Sequence, residues 1–206
     1  RKATQGIAEY LNESFDGASV AIAYDSRISS DAFARRSAEV LSASGIKVYI
    51  FPSLRPTPVL SYAVLKLGCI AGINITASHN PSAYNGYKAY WEDGAQLPPD
   101  HAKRVSDAMD SIDIFKDVPA PEKADKSKII TVSDLIDEPY MECVLEQRVN
   151  PDAITAVADD LRIVYTPLHG AGAVMVPEVL RRAGVKNLYT VDEQMAPDGS
   201  FPTVYY

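Results

Sequence analysis

The feature that most restricts the fold of this chain is an apolar stretch, residues 69–75, that ends in a short polar loop, residues 76–81. Apolar residues interleaved with small ones predict a buried strand, and a cluster of Ser, His, Asn and Pro predicts a tight loop. In α/β proteins, reactive groups commonly lie in loops at the ends of buried strands. Because Ser78, His79 and Lys88 lie in or just after this loop, the sequence predicts a reactive site there.

Strand and helix patterns alternate along the first part of the chain. A helix that begins at Ser30 has Phe33, Val40 and Leu41 on the stripe predicted to be buried. The short connection before the fourth strand predicts that it runs antiparallel to the third. The four predicted strands are residues 19–24, 46–51, 69–75 and 87–91.

The alternation starts afresh near residue 162, with a strand at 162–166, a helix that ends at Arg182 and a strand at 187–191. Such alternation predicts α/β architecture with mainly parallel sheets. We therefore expect a three-layer α/β/α domain with a mixed, mainly parallel four-stranded sheet in residues 1–155. The start of a second, similar α/β domain would follow in residues 156–206.

Composition and charge exclude several classes of protein. The formal net charge of -7 argues against binding to nucleic acid or to an anionic membrane, and no apolar run approaches the ~18 residues of a membrane span. Cys69 and Cys143 are predicted to be free thiols in a reducing compartment, which indicates a cytoplasmic protein. Because the chain begins at Arg1 within a helical pattern and ends at Tyr206 without a stop signal, we expect it to be part of a longer protein.

Ser78 is the candidate for covalent chemistry, but a free serine hydroxyl must be activated before it reacts. His79 is adjacent, and neighbouring side chains on an extended segment point apart, which disfavours a hydrolase-type pair. The Gly-x-Ser-x-Gly pattern is also absent. A phosphorylated Ser78 remains, with His79, Lys88 and Arg27 as the nearby cations that it would need. The alternative is structural, with Ser78 and Asn80 capping a turn.

The loop is one of several motifs that point to the same family. Thr-Ala-Ser-His-Asn-Pro followed by Tyr-Asn-Gly-Tyr-Lys resembles the active-site loop of the α-D-phosphohexomutase superfamily, which contains phosphoglucomutases and phosphomannomutases. The segment around Trp91 is most similar to bacterial phosphoglucomutases and phosphopentomutase-like enzymes. The resemblance covers essentially the whole chain, as a first domain and the start of a second; its other matching segments are residues 23–27, 54–58 and 165–170.

The resemblance implies a role for each residue of the loop. Ser78 would be the phosphoserine that donates its phosphoryl group to a sugar phosphate, most simply that of glucose, and takes back the other group from the bisphosphorylated intermediate. Lys88 and His79 would assist proton transfer and neutralise charge. Arg27 would either bind phosphate or brace the loop. Asn80 and Asn85 would shape the loop through bonds to the main chain.

The resemblance also implies parts that this chain lacks. The family's Mg2+ is held by an Asp-Gly-Asp-x-Asp-Arg loop together with an oxygen of the phosphoserine, here Ser78, and no such acidic loop occurs in the sequence. We therefore expect the remaining domains II–IV to supply the other metal ligands and the sugar-recognition loops. A sugar 1,6-bisphosphate would act as activator, and this chain alone would be inactive.

Two other enzyme classes and a non-catalytic binding module remain as alternatives. Residues 162–192 run strand, Gly-x-Gly, helix, strand and acidic residue, which fits an NAD(P)-binding oxidoreductase. Met175 stands at the third glycine position, and Pro177 falls early in the helix, so this match is weak. A serine hydrolase that uses Ser78 is the other enzyme class.

Overall fold

The structure, a computed structural model, describes residues 1–204. Its seven strands are β1 (Ser19–Tyr24), β2 (Lys47–Ile50), β3 (Ala71–Ile75), β4 (Tyr87–Trp91), β5 (Ile129–Thr131), β6 (Arg162–Tyr165) and β7 (Asn187–Thr190). Its eight α-helices are α1 (Lys2–Ser14), α2 (Ser30–Ala43), α3 (Thr57–Leu67), α4 (Pro99–Ser111), α5 (Asp134–Glu146), α6 (Pro151–Val157), α7 (Met175–Arg182) and α8 (Asp192–Met195).

The main sheet has five strands in the order β4-β3-β1-β2-β5. β1 runs parallel to β2 and β3, β5 runs parallel to β2, and β4 runs antiparallel to β3. The mixed, mainly parallel sheet and the antiparallel β4 are confirmed. The predicted number of strands was wrong: the sheet has five strands rather than four. The additional strand, β5, pairs with the free edge of β2 and follows a charged segment. Its three residues are too few to show an alternating pattern.

Helices cover both faces of this sheet, which confirms the three-layer α/β/α fold. On one face the apolar sides of α1 and α2 pack on β1 and β3, with Leu11, Leu41, Val20 and Ile73 fully buried. On the other face α3 packs on β1 and β3, and α5 packs against α3 in the same core cluster. Since β1 lies at the centre with all six residues buried, its short apolar sequence follows from burial on both faces.

One predicted core residue lies elsewhere. Val40 and Leu41 of α2 are fully buried, as predicted, but Phe33 is 51% exposed. Phe33 lies in the first turn of α2, and it lines an open pocket with Ile75 of β3 and Tyr87 of β4. The prediction for Phe33 was therefore wrong because helical spacing gives the direction of a side chain but not whether anything covers it.

A smaller unit follows α5. β6 and β7 form a separate two-stranded parallel sheet, and Met175 of α7 packs into the core beneath α3 and α5. The predicted boundary between residues 155 and 156 falls within α6 and stays a prediction. Within residues 1–204, no helix has the length and apolar character that crossing a bilayer requires.

Candidate active site

The site lies where the order of the strands changes direction. From β1 the chain passes to β2 on one side and then returns to β3 on the other side. Connections that diverge in this way leave a crevice at the carboxyl ends of the two central strands, which is where open α/β sheets bind ligands. The loop after β1 carries Arg27, and the loop after β3 carries Ser78.

Ser78 and Lys88 meet at this crevice. Lys88 Nζ donates a hydrogen bond to Ser78 Oγ over 2.5 Å, and Ser78 is exposed at the tip of the loop. Lys88 reaches it because antiparallel β4 returns alongside β3 and places Lys88 opposite Asn74. Directly opposed residues of an antiparallel pair point to the same face of the sheet, so the register of the hairpin aims the amine at the hydroxyl.

Ser78 has a backbone conformation that is unusual for a residue with a side chain. Its φ is 55°, which lies in the left-handed region and costs energy in residues other than glycine. The Ser78 amide donates to Thr76 Oγ1 over 3.1 Å, and the Asn80 amide donates to the carbonyl oxygen of Ala77. The loop therefore presents the Ser78 hydroxyl through a fixed turn.

Arg27 is the centre of the loop's support. Its side chain is almost fully buried, and Nε lies 3.3 Å from Asp25 Oδ2. The guanidinium donates to main-chain carbonyl oxygens of Ser78 (3.0 Å), Asn80 (2.6 Å), Pro81 (2.9 Å) and Tyr84 (2.9 Å). The planar fork of an arginine can hold four acceptors at once, which an ammonium group cannot do. Since these donors are all used by the loop, a direct contact of Arg27 with phosphate stays a prediction.

Asn85 ties the other end of the loop to α2. Its Nδ2 donates to Ser30 Oγ over 2.9 Å, and its Oδ1 accepts from the Gly86 amide over 2.7 Å. Ser30 Oγ in turn donates to Asp25 Oδ1 over 2.7 Å. This chain of bonds joins the end of the Ser78 loop to the loop that follows β1. Asn80 contributes through its main chain, while His79 is exposed beside Ser78.

A pocket of about 250 Å³ lies beside the loop. On one side it is lined by Ser78, Asn74 and the first residue of α3, Thr57. On the other side it is lined by Gly170 and Phe201 of the smaller unit. The sequence patterns did not single out Phe201; its only signal was the Pro-Asp-Gly turn before it. The two units therefore both contribute to the walls around Ser78.

His169 is a structural residue of the smaller unit. Only 3% of its surface is exposed. Its Nδ1 lies 2.9 Å from the carbonyl oxygen of Ala196, and its Nε2 lies 2.9 Å from Thr203 Oγ1. These contacts fix the turn that follows β6.

The described residues do not form a magnesium site by themselves. Within residues 1–204, no group of three or more His, Cys, Asp or Glu side chains could hold a metal ion. Mg2+ requires near-octahedral coordination by oxygen, and Ser78 would supply one ligand at most. Ser78 therefore remains the single predicted metal ligand of this chain.

Comparison with known proteins gives one family along almost the whole chain. The family model for phosphoglucomutase/phosphomannomutase, alpha/beta/alpha domain I, matches residues 1–115, and that for domain II matches residues 138–205. A phosphoglucomutase of Staphylococcus saprophyticus is 38% identical over 99% of this chain and 37% of its own length. A probable phosphoribomutase of Schizosaccharomyces pombe is 35% identical over the full chain and 36% of its own length.

The fold agrees with this result. A crystal structure of a protein from Thermus thermophilus, described as a phosphomannomutase, superposes with a TM-score of 0.77 at 27% identity over 98% of this chain and 43% of its own. The chain spans about two fifths of the length of the relatives it matches. These matches leave the NAD(P)-binding alternative without support. The chain belongs to the phosphoglucomutase/phosphomannomutase family of the α-D-phosphohexomutase superfamily, as its loop motifs predicted.

Proposed function

We propose that this chain is the phosphoryl-carrying part of a phosphosugar mutase that interconverts the 1-phosphate and 6-phosphate of a sugar, glucose in the first place. The observation that carries the proposal is the hydrogen bond from Lys88 Nζ to Ser78 Oγ on an exposed loop. Membership of the family supports the reaction class. Relatives named for phosphoglucose, phosphomannose and phosphoribose chemistry support a sugar phosphate as substrate.

In the proposed reaction Ser78 carries a phosphoryl group. A hydroxyl oxygen of the sugar phosphate bonds to phosphorus while the bond from phosphorus to Ser78 Oγ breaks. Lys88 gives a proton to Oγ as it leaves, and the proton of the sugar hydroxyl passes to His79. The bisphosphorylated sugar then turns round, and Ser78 Oγ attacks its other phosphoryl group while Lys88 and His79 reverse their roles. Such transfers depend on positioning and on cations more than on covalent steps of the protein.

The charges around Ser78 support this assignment. A phosphoserine adds nearly two negative charges, and Lys88 already lies within hydrogen-bonding distance of the oxygen that would carry them. Arg27 is committed to the loop carbonyls. We therefore assign it to loop support, as we do Asn80 and Asn85.

The proposed reaction would require groups that lie outside this chain. Mg2+ and its acidic ligands would come from the rest of the enzyme, together with the sugar-recognition loops, so the chain alone is expected to be inactive. A sugar 1,6-bisphosphate would load Ser78 at the start of the cycle. The free thiols Cys69 and Cys143 support a cytoplasmic location.

The decisive experiment maps phosphate on the active enzyme that contains this chain. After exposure to glucose 1,6-bisphosphate, mass spectrometry should find one phosphoryl group, at Ser78. The Ser78→Ala variant should carry none and should lose turnover of glucose 1-phosphate, whereas Ser82→Ala, in the same connection between β3 and β4, should keep both. Normal turnover by Ser78→Ala would show that the carrier is another residue. Turnover of mannose or ribose phosphates in preference to glucose phosphates would change the proposed sugar but not the role of Ser78.

A further inference from the structure

The smaller unit contacts the segment that carries Arg27 through a turn, residues 198–201. Gly199 of this turn is buried against the main chain of residues 26–28. A Cβ added to Gly199 would lie 2.5 Å from the amide nitrogen of Ile28, 2.8 Å from the carbonyl oxygen of Ser26 and 2.9 Å from the carbonyl carbon of Arg27. All three atoms belong to the backbone and cannot swing aside. Only glycine therefore allows the 198–201 turn to lie this close to Arg27.

Phe201 covers the guanidinium of Arg27 from the same turn. The Arg27 Cζ atom lies 5.4 Å from the centre of the Phe201 ring, within the range of a cation–π contact. The φ of Phe201 is 50°, so a bulky residue is held in a conformation that it would otherwise avoid. The four donor hydrogen bonds of the guanidinium run outward to the Ser78 loop, and Phe201 is a second contact on this nearly buried group.

The 198–201 turn is itself fixed within the smaller unit by His169. The imidazole of His169 bridges Ala196 and Thr203, on either side of the turn. The Asp198 amide donates to the His169 carbonyl oxygen, and Asp198 Oδ1 accepts from the amide and hydroxyl of Ser200. Because His169 follows β6 closely in the chain, the position of β6 fixes the position of the turn.

These contacts form one continuous connection from the smaller unit to the reactive hydroxyl. We propose that the 198–201 turn holds the Arg27 guanidinium in the orientation that shapes the Ser78 loop, which makes Gly199 and Phe201 positioning residues for the phosphoryl-carrying serine. The smaller unit then sets the geometry of Ser78 as well as lining the pocket beside it. The role in catalysis rests on the proposed function, whereas the role in shaping the loop does not.

Hydrogen exchange tests the shaping of the loop without any reference to activity. In Phe201→Leu and Gly199→Ala, exchange of the hydrogen-bonded amides of Thr76, Ser78, Asn80 and Tyr84 should rise roughly tenfold, since the orientation of Arg27 preserves the loop conformation in which these bonds form. Gly68→Ala is the matched control: Gly68 has φ 61° and an open environment, so this variant loses stability far from the loop. Unchanged exchange in the loop, or an equal rise in Gly68→Ala, would overturn the proposal.

Kinetics test the consequence for transfer in the complete enzyme. Phe201→Leu should lower kcat roughly tenfold with little change in KM, because a displaced serine slows the chemical step rather than sugar binding. Phe201→Tyr keeps an aromatic face over Arg27 and should restore kcat to near its original value. A tyrosine variant as slow as the leucine variant, or two variants as fast as the parent, would refute the role of the ring. Failure of the proposed function would instead appear as absence of phosphate on Ser78.

Discussion

Two buried arginines follow neighbouring strands of the main sheet, and they serve different structures. Arg27 follows β1 and is 5% exposed, and Arg55 follows β2 and is 8% exposed. Arg27 donates to four main-chain carbonyl oxygens of one loop. Arg55 instead forms a two-pronged ion pair with Asp137 of α5, with Nε 3.0 Å from Oδ1 and Nη2 2.6 Å from Oδ2.

The difference lies in what each arginine holds. Carbonyl oxygens are fixed points along a backbone, so a guanidinium that binds four of them determines the shape of the loop. A carboxylate neutralises the buried charge and joins two elements, here the start of α3 to α5, and the remaining bonds of Arg55 reach only the adjacent residues Ser53 and Leu54. Arg27 is therefore expected to matter most for reactivity and Arg55 most for stability, and the four predictions that follow test that division.

Removing the partner of Arg55 should have the largest effect. Asp137→Ala leaves a buried guanidinium without its countercharge, which typically costs about 3–5 kcal/mol of unfolding free energy. Urea denaturation should show the loss, while the remaining folded protein should still accept phosphate at Ser78. Asp107→Asn, in an exposed pair with Lys103, is the control and should leave the urea midpoint unchanged. A small loss in Asp137→Ala would contradict a stabilising role for the pair.

Shortening the reach of Arg27 should mainly affect phosphate transfer. Arg27→Lys keeps the charge but cannot bind four carbonyl oxygens, so the loop loses its shape. In the complete enzyme we expect about a 100-fold slower phosphorylation of Ser78 by glucose 1,6-bisphosphate, equivalent to about 2.7 kcal/mol of activation free energy. Arg35→Lys, at an exposed position on α2, should react at the normal rate. If Arg27→Lys lowered the urea midpoint as much as Asp137→Ala, the two arginines would not differ as described.

A methyl group added at Gly86, where the loop meets β4, should have an intermediate effect on the rate of phosphorylation of Ser78. A Cβ added to Gly86 would lie 2.6 Å from the carbonyl oxygen of Thr76, so Gly86→Ala must push apart the two ends of the loop. The same rate measurement should show roughly a tenfold decrease, with Ser82→Ala unaffected. A normal rate would mean that the ends of the loop tolerate separation.

Substitution of Glu138, the exposed residue next to Asp137, should have the smallest effect. Glu138 is exposed and pairs with Arg182 of α7, and the hydrogen bond from Arg182 lowers the pKa of Glu138 below its usual value. A lowered pKa means that the pair stabilises the fold above the ordinary carboxyl pKa and ceases to do so as the pH falls through the lowered value. Glu138→Gln should therefore shift the urea midpoint slightly at neutral pH and not at all in acid. A shift that persists in acid would point to packing instead.

Much of the fold could be predicted from local patterns because those patterns reflect burial. β1 was predicted with the bounds that the structure has, and Gly68 ends α3 in the left-handed conformation that favours glycine. β5 was missed because its pairing with β2 depends on a free sheet edge rather than on its own three residues. Phe33 was misplaced for a similar reason, since neighbours remote in sequence decide what covers a helix.

The candidate residues of the site could be predicted from the sequence, but the contacts that hold them in place could not. The loop motif brought Ser78, His79 and Lys88 to attention together, and the predicted hairpin already placed Lys88 on the returning strand. The bonds from Arg27 span more than fifty positions of sequence, and the contact of Phe201 with Arg27 joins opposite ends of the chain. No spacing rule reports such pairs, so these supports emerge only in three dimensions. The catalytic roles of Ser78, His79 and Lys88 stay predictions.

The antiparallel return of β4 has a consequence for how this site can vary. Lys88 is located by its pairing opposite Asn74, and the Thr76 amide closes the hairpin on the Gly86 carbonyl oxygen. The intervening segment can therefore lengthen or shorten without displacing the amine, provided that the pairing stays in step. A slip by one position would instead turn Lys88 to the opposite side of the sheet. The length of the loop can thus change while the amine beside the Ser78 hydroxyl keeps its position on the strand.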